Sequence, residues 1–220
     1  VIDECHHLTA NSYRGIINYF NPKVLLGLTA TPERMDGGDI QEDFHNRIAA
    51  EIRLPEALNR KLLCPFQYFG ITDSIDLSKV TWERGRYVPS QLTNIYTSND
   101  RRIAEIIEAL EKYTKDKTDV RAIGFCVSME HAKFMAEKFT LAGFKANYLT
   151  SKNTQNRDVV KSQLLKKEIN YLFVVDIFNE GVDIPEIDTL LFLRPTESLT
   201  VFLQQMGRGL RLADDKDCLT

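Results

Sequence analysis

No apolar run in this sequence approaches the roughly 20 residues that a membrane-spanning helix needs. No secretory leader pattern is present either, so a membrane partner is not expected. Neither sign of charge dominates: 28 Lys and Arg stand against 31 Asp and Glu, for a net of -3. A strongly basic coat is therefore excluded, and any contact with nucleic acid must come from a local patch. The four cysteines, Cys5, Cys64, Cys126 and Cys218, lie far apart and form no C-x-x-C pair. That spacing suggests neither a zinc site nor a disulfide framework; reduced thiols and a cytoplasmic location are the expectation. Internal repeats and low-complexity tracts are missing. The chain opens on Val1 without a methionine, directly before a polar cluster, and reads as starting at a boundary inside a longer protein.

What is present is enough apolar residue, 43% of 220, for one large domain or two small ones. Val24 to Leu28 reads as a buried strand stopping at Thr29-Ala30-Thr31-Pro32, and the Gly-rich, charged stretch 33–43 as a mobile loop. Phe66 to Ile71 reads as a strand, and 72–97 as an irregular connector. From Asp100 onward the pattern is regular. Ile103, Ile106, Ile107, Leu110 and Tyr113 repeat at helical spacing. A strand over Ala122–Val127 is followed by a helix that Ser128 caps and Gly143 ends, with Ala132, Met135, Ala136 and Phe139 as its apolar face. Next come a strand at Ala146–Leu149, a helix containing Val160, Leu164 and Leu165, strands at Tyr171–Val175 and Leu190–Leu193, and a last helix marked by Leu199, Phe202, Leu203 and Met206. Strands alternating with helices of this length predict an α/β fold, a parallel sheet flanked by helices. Ligands bind such sheets at the carboxyl ends of the strands, where the polar motifs fall.

Four clusters carry chemistry. In Val1-Ile2-Asp3-Glu4-Cys5-His6-His7, two acids follow an apolar strand end. Phosphate-transferring enzymes place a magnesium-holding carboxylate there, beside a second acid that orients water; two solvated acids at a turn would look the same. Adjacent His6 and His7 would point to opposite faces of a strand and so would not share one ion. Thr29-Ala30-Thr31 offers hydroxyls at a strand end, able to pass on a change of state or merely to cap the turn. The stretch Val175 to Pro185 is a polar loop with Gly181 and Pro185 fixing its backbone, suited to a ligand or to an ordinary connection. In Gln204 to Arg211, Arg208 and Arg211 follow an amphipathic helix. Guanidinium groups so placed can stabilise a transferring phosphoryl group, or simply suit a helix C-terminus.

Asp3-Glu4-Cys5-His6, Thr29-Ala30-Thr31, Phe125-Cys126-Val127-Ser128, Gly181-Val182-Asp183-Ile184-Pro185 and Gln204-x-x-Gly207-Arg208-x-x-Arg211 stand in this order along the chain. Together they resemble motifs II to VI of superfamily-two helicases of the DEAD/DEAH-box type, from residue 1 to about residue 213. The resemblance implies two RecA-like domains with ATP at their interface and nucleic acid laid across both. Residues 1–60 would be the C-terminal portion of the first RecA-like domain, 61–97 a connector, and 98–220 a complete second RecA-like domain. Carried over by position, Asp3 would hold Mg²⁺ and Glu4 would orient the lytic water. His6 would relay between nucleotide and second domain, and Thr29 and Thr31 would couple hydrolysis to movement. Gly181, Asp183 and Gln204 would line the nucleotide. Arg208 and Arg211 would reach the γ-phosphate, one as an arginine finger. Ser128 would meet the nucleic-acid backbone. Lys152 belongs to a basic stretch, 152–168, that could do the same or be a solvated helix face.

Three departures shape the expectation. The second motif reads D-E-C-H, and the sixth opens with Gln204 rather than histidine. Both look closer to DNA-directed members, such as repair helicases and restriction-enzyme motor subunits, so DNA is the expected partner. No G-x-x-x-x-G-K-[ST] occurs, so the lysine and amides that cradle the β- and γ-phosphates are missing. The reading is an ATP-dependent helicase or translocase present as a piece that does not hydrolyse ATP alone. Two alternatives stay open: a non-catalytic module that binds nucleic acid or a partner, and the motor part of a restriction-type nuclease. This chain carries no P-D…(D/E)-x-K nuclease signature.

Overall fold

The computed structural model describes residues 1–8, 11–30, 40–83, 85–149, 157–175, 184–196 and 198–220. The chain divides into two compact units, 1–57 and 58–220.

The first unit is sparse. Helix α1 (Asn11–Phe20) is its one long element among the described residues. Cys5, Leu8 and Ile40 form a small buried cluster, with Ile2, Tyr13, Ile17 and Phe44 packed against it. The predicted strand 24–28 is neither laddered nor buried. It makes one parallel bridge, Ile2 to Gly27, and Val24, Leu26 and Leu28 are exposed. The alternation is sound, since Leu25, Gly27 and Thr29 are half-buried. A strand needs cover on both faces to be buried, and here only one face meets the cluster. Gly27 is required: a Cβ there would lie 2.4 Å from a Phe44 ring atom and 2.8 Å from Cys5 Sγ. Within the predicted loop 33–43, residues 33–39 lie outside the described residues, and Gln41–Phe44 forms a 3-10 turn. Helix α2 (Leu54–Asn59) spans the boundary between the units.

The second unit holds the expected parallel sheet. After a two-residue hairpin, β1 (Trp82–Glu83) and β2 (Arg86–Tyr87), come helices α3 (Pro89–Thr97) and α4 (Asp100–Tyr113). Then follow β3 (Ala122–Phe125), α5 (Met129–Leu141), β4 (Ala146–Leu149), α6 (Arg157–Leu165), β5 (Tyr171–Val174), β6 (Thr189–Phe192) and α7 (Leu199–Gly209). The strand order is β4-β5-β3-β6, all parallel. Every residue of β3 and β5 is buried, so both faces of the sheet are covered.

Register explains the packing. Ala122 pairs with Tyr171 and Gly124 with Phe173. Small residues on β3 thus make room for large rings on β5; a Cβ on Gly124 would come within 2.5 Å of Phe173. Phe139 of α5 closes over both rings, at 5.0 and 4.9 Å between centroids. Side-chain oxygens cap the helices: Asn99 accepts from the Arg102 amide and Ser128 from the His131 amide. The end of α5 is a Schellman turn. Gly143, at φ +90°, donates to Thr140 O, and Phe144 donates to Phe139 O.

Two readings between 61 and 97 change. Phe66–Ile71 is not a laddered strand; Phe66 makes a single parallel bridge, to Leu219. Residues 72–97 are not irregular, because α3 lies there. Pro89 stands at its start, and Leu92 and Tyr96 are buried with Val80 against Ile75, Tyr87 and Val127. Pro at the first helical turn and apolar residues four apart are the signals that mark it.

Candidate functional site

The sequence clusters fall into two groups, one in each unit.

In the first unit, Ile2 and the 26–28 segment exchange backbone hydrogen bonds: Ile2 N donates to Leu26 O and Leu28 N to Ile2 O, both at 2.8 Å. The Cys5 amide donates to Leu28 O at 2.9 Å. This pairing brings the acidic cluster beside Thr29. Asp3 is exposed, and its Oδ1 accepts the Glu4 amide at 3.0 Å. Glu4 adopts a left-handed backbone, φ 49° and ψ 46°. Non-glycine residues rarely do so, and such strain concentrates where function over-determines geometry. The turn Cys5–His7 then carries the His6 ring into the interior, 8% exposed. His6 Nδ1 lies 3.3 Å from Glu4 Oε2 and 3.1 Å from Thr29 Oγ1. One imidazole therefore touches both the candidate water-orienting carboxylate and the candidate coupling hydroxyl. Thr31 lies outside the described residues.

Asp3 suits magnesium in kind, since the ion takes few protein carboxylates and keeps waters and phosphate oxygens as its other ligands. Among the described residues, no group of three or more His, Cys, Asp or Glu side chains converges into a metal-binding cluster.

In the second unit, Ser198 caps α7 and the helix divides by face. Phe202, Met206 and Gly209 sit on one side. Phe202 packs its ring on Phe192 of β6, 5.0 Å between centroids, and Met206 is buried. Gln204 and Arg208, four residues apart, share the opposite side. Gln204 and Arg208 are half-buried, and Arg211 is exposed just beyond the end of the helix. Ser128 stands at the N-terminus of α5, where its hydroxyl shares a 2.9 Å hydrogen bond with Thr93 of α3 while capping the helix. Gly181, Asp183 and Lys152 lie outside the described residues. In the basic stretch 152–168, Lys167 is committed to Asp119, at 2.7 Å from Oδ1.

Two buried cations were not legible as site residues. Arg102, 6% exposed, donates to Asp73 Oδ2 at 2.8 Å and to Leu193 O at 3.0 Å, and lies 4.2 Å over the Tyr96 ring. It thereby holds the carboxyl end of β6. Tyr96 stacks in turn on His131, 5.1 Å away. Burial, with Arg102 nearby, pushes the His131 pKa down to about 3, so the ring is neutral. Lys216 is buried beneath the end of α7. Arg102 has a faint signal, a charge on the apolar face of α4 beside Ile103; Lys216 sits in the acidic run 214–217 and has none.

With the geometry established, comparison with known proteins decides the family. The helicase conserved C-terminal domain model matches residues 103–213, half of the chain. This chain belongs to that family. A second model, the res subunit of type III restriction enzymes, matches residues 1–34. Relatives include a 51.5 kDa protein of a Lactococcus phage, 31% identical over all of this chain and 47% of its own length. Another is the putative ATP-dependent helicase IRC3 of Saccharomyces cerevisiae, 30% identical over 99% of this chain and 32% of its own length. The chain thus spans 32 to 47% of the length of these curated relatives. Among solved structures, the ATP-dependent Type ISP restriction-modification enzyme LlaBIII bound to DNA aligns with 99% of this chain and 17% of its own, at TM-score 0.64 and 18% identity. That likeness is one of fold alone; the conserved C-terminal domain match runs from within α4 to just past the end of α7.

Proposed function

We propose that this chain carries the magnesium-side acids and the arginines of an ATP-driven DNA helicase or translocase. The observation that carries this reading is the His6 ring set between Glu4 and Thr29. A pair of solvated acids has no need of a buried histidine that joins it to a hydroxyl on the neighbouring strand.

In this reading Asp3 holds Mg²⁺, which when bound neutralises charge on the β- and γ-phosphates. Glu4 orients the attacking water, its carboxylate steadied by His6. His6 passes the state of that carboxylate to Thr29, and Thr31 shares the coupling role. Gln204 and Arg208 from one face of α7, and Arg211 from just past its end, face the nucleotide, and the arginines stabilise charge as the phosphoryl group transfers. Gly181 and Asp183 line the same nucleotide. Ser128 and Lys152 meet the nucleic-acid backbone, giving affinity with little sequence preference. DNA as the partner is supported by Gln204 in place of histidine, by the restriction-subunit match at residues 1–34 and by the likeness to a DNA-bound restriction enzyme. Four free cysteines suit a reducing, cytoplasmic setting.

The missing G-x-x-x-x-G-K-[ST] sets a limit: these 220 residues alone turn over ATP negligibly. The test is DNA-stimulated ATPase measured on the natural full-length protein and on this chain. The full-length protein is expected to be active, with Glu4→Gln and Arg211→Ala each reducing kcat by about 100-fold or more. Normal rates in both variants would overturn the roles, and helicase-like turnover by the 220-residue chain would overturn the limit.

A further inference from the structure

Helix α7 ends between the two arginines, so what holds that end fixes where both can reach. Four of a helix's last carbonyls have no partner within the helix. Here two of them find one elsewhere in the second unit. Leu210 O accepts the Cys64 amide at 2.8 Å, and Gly209 O accepts Lys216 Nζ at 2.9 Å. The same ammonium donates to Pro185 O at 2.6 Å and Ile187 O at 3.0 Å. Three carbonyls meet three N–H donors, which is the full capacity of a protonated lysine. Lys216 is 9% exposed although Asp214, Asp215 and Asp217 around it are exposed. Gly209 is locked on its other side as well, because a Cβ there would stand 2.4 Å from Leu219 Cδ1.

We propose that Lys216 is a positioning residue for Arg208 and Arg211, its ammonium tying the end of α7 to the 185–187 turn that leads into β6. The proposal rests on the motor reading above and adds the group that sets the geometry of its arginines. A cation at a helix C-terminus is favourable in itself. That alone would be met by an exposed side chain on the last turn, however, and would not need burial or two further carbonyls from another segment. Arginine is a poor substitute, because its planar fork cannot converge on three carbonyls around one nitrogen.

The test uses Lys216→Met in the natural full-length protein, with DNA-stimulated ATPase resolved into kcat and KM. The expected result is a fall in kcat of about tenfold or more with KM for ATP and for DNA nearly unchanged, because arginines acting on transition-state charge are displaced rather than removed. Phe144→Leu, which loosens the same unit away from α7, serves as the control for lost stability and is expected to keep its kcat. If Lys216→Met does not fold, Lys216→Gln keeps two donors and is expected to lose about threefold by the same argument. A second readout is amide exchange at Leu210 to Leu212, expected to quicken about tenfold in Lys216→Met while the β3 and β5 amides hold. Normal kcat in the folded variant, or an equal loss in Phe144→Leu, overturns this proposal and leaves the motor reading standing. An unsubstituted protein without any ATPase removes the motor reading and this proposal together.

Discussion

The two units handle their apolar residues in opposite ways. In residues 58–220, β3 and β5 are buried along their whole length and Phe139 closes over rings that Ala122 and Gly124 admit. Among the described residues of 1–57, Cys5, Leu8 and Ile40 form the buried cluster, while Ile16, Tyr19, Phe20, Val24, Leu26 and Leu28 are exposed. Yet Asp3, Glu4, His6 and Thr29 all belong to the sparse unit. The candidate chemistry on that side is held by a few backbone hydrogen bonds and one imidazole, whereas the arginine side stands on a full core. The lesson is that local geometry at a site and the stability of its surroundings are separate properties.

The sharpest way to break this comparison is to separate the units. Residues 54–220, which keep α2 whole, are expected to melt cooperatively by circular dichroism. Residues 1–53 are expected to show no sigmoidal transition, since so short a piece with so small a cluster lacks sufficient buried surface. A cooperative melt of 1–53 would erase the contrast. Next in size, Phe139→Ala should cost about 3–5 kcal/mol in denaturant unfolding, because it empties the space above Tyr171 and Phe173. A loss under about 1 kcal/mol would mean that the sheet face collapses to fill the space.

A third prediction uses pH. His131 is depressed to about 3 in the folded protein against an ordinary value of 6.5. The unfolded chain therefore binds more protons between these values, and stability present above pH 6.5 is lost as pH falls toward 3, by up to about 1.4 kcal/mol per unit. Burial raises the Asp188 carboxyl and works in the opposite sense. The diagnostic is therefore the difference between the wild type and His131→Gln, whose profile is expected to be flatter over that window. Parallel profiles would count against a buried neutral ring.

The smallest effects set the two units against each other. Gly143→Ala should destabilise by about 1 kcal/mol, since φ +90° is strained for any side chain. Gly15→Ala, mid-helix in α1 with nothing within 4 Å of an added Cβ, should stabilise the first unit by about 0.5–1 kcal/mol. Thermal midpoints that move in the same direction would blunt the contrast.

Much of the second unit was legible in the sequence, because apolar periodicity, caps and turn residues agree there: Ser128, Gly143 and the run Tyr171 to Val174 each state one structure. Helix α3 was missed although Pro89 and the Leu92–Tyr96 spacing signal it locally, because the polar residues between them blur the pattern and its packing partner, Val127, lies in a distant segment. The expected buried strand at Val24 to Leu28 is reduced to one bridge at Gly27 and is exposed at Val24, Leu26 and Leu28, since composition reports what a segment can bury and not what is there to cover it. At the site, the residue types of Glu4, His6, Thr29, Arg208 and Arg211 could be read from motif order. The bridging His6 ring could not, because it depends on pairing between residues 2 and 27. Lys216 was hidden because three carbonyls, which have no sequence identity, define its role.

The pairing of Gly124 with Phe173 has a consequence for how this domain can change over generations. Any side chain at 124 collides with the ring at 173 unless that ring shrinks, and a smaller residue at 173 alone leaves a hole beneath Phe139. The two positions therefore move as one character. A library that varied them singly would score both as intolerant, while one that varied them jointly would recover viable pairs such as alanine with leucine, and the domain could drift along that coupled path while its arginine helix stayed in place.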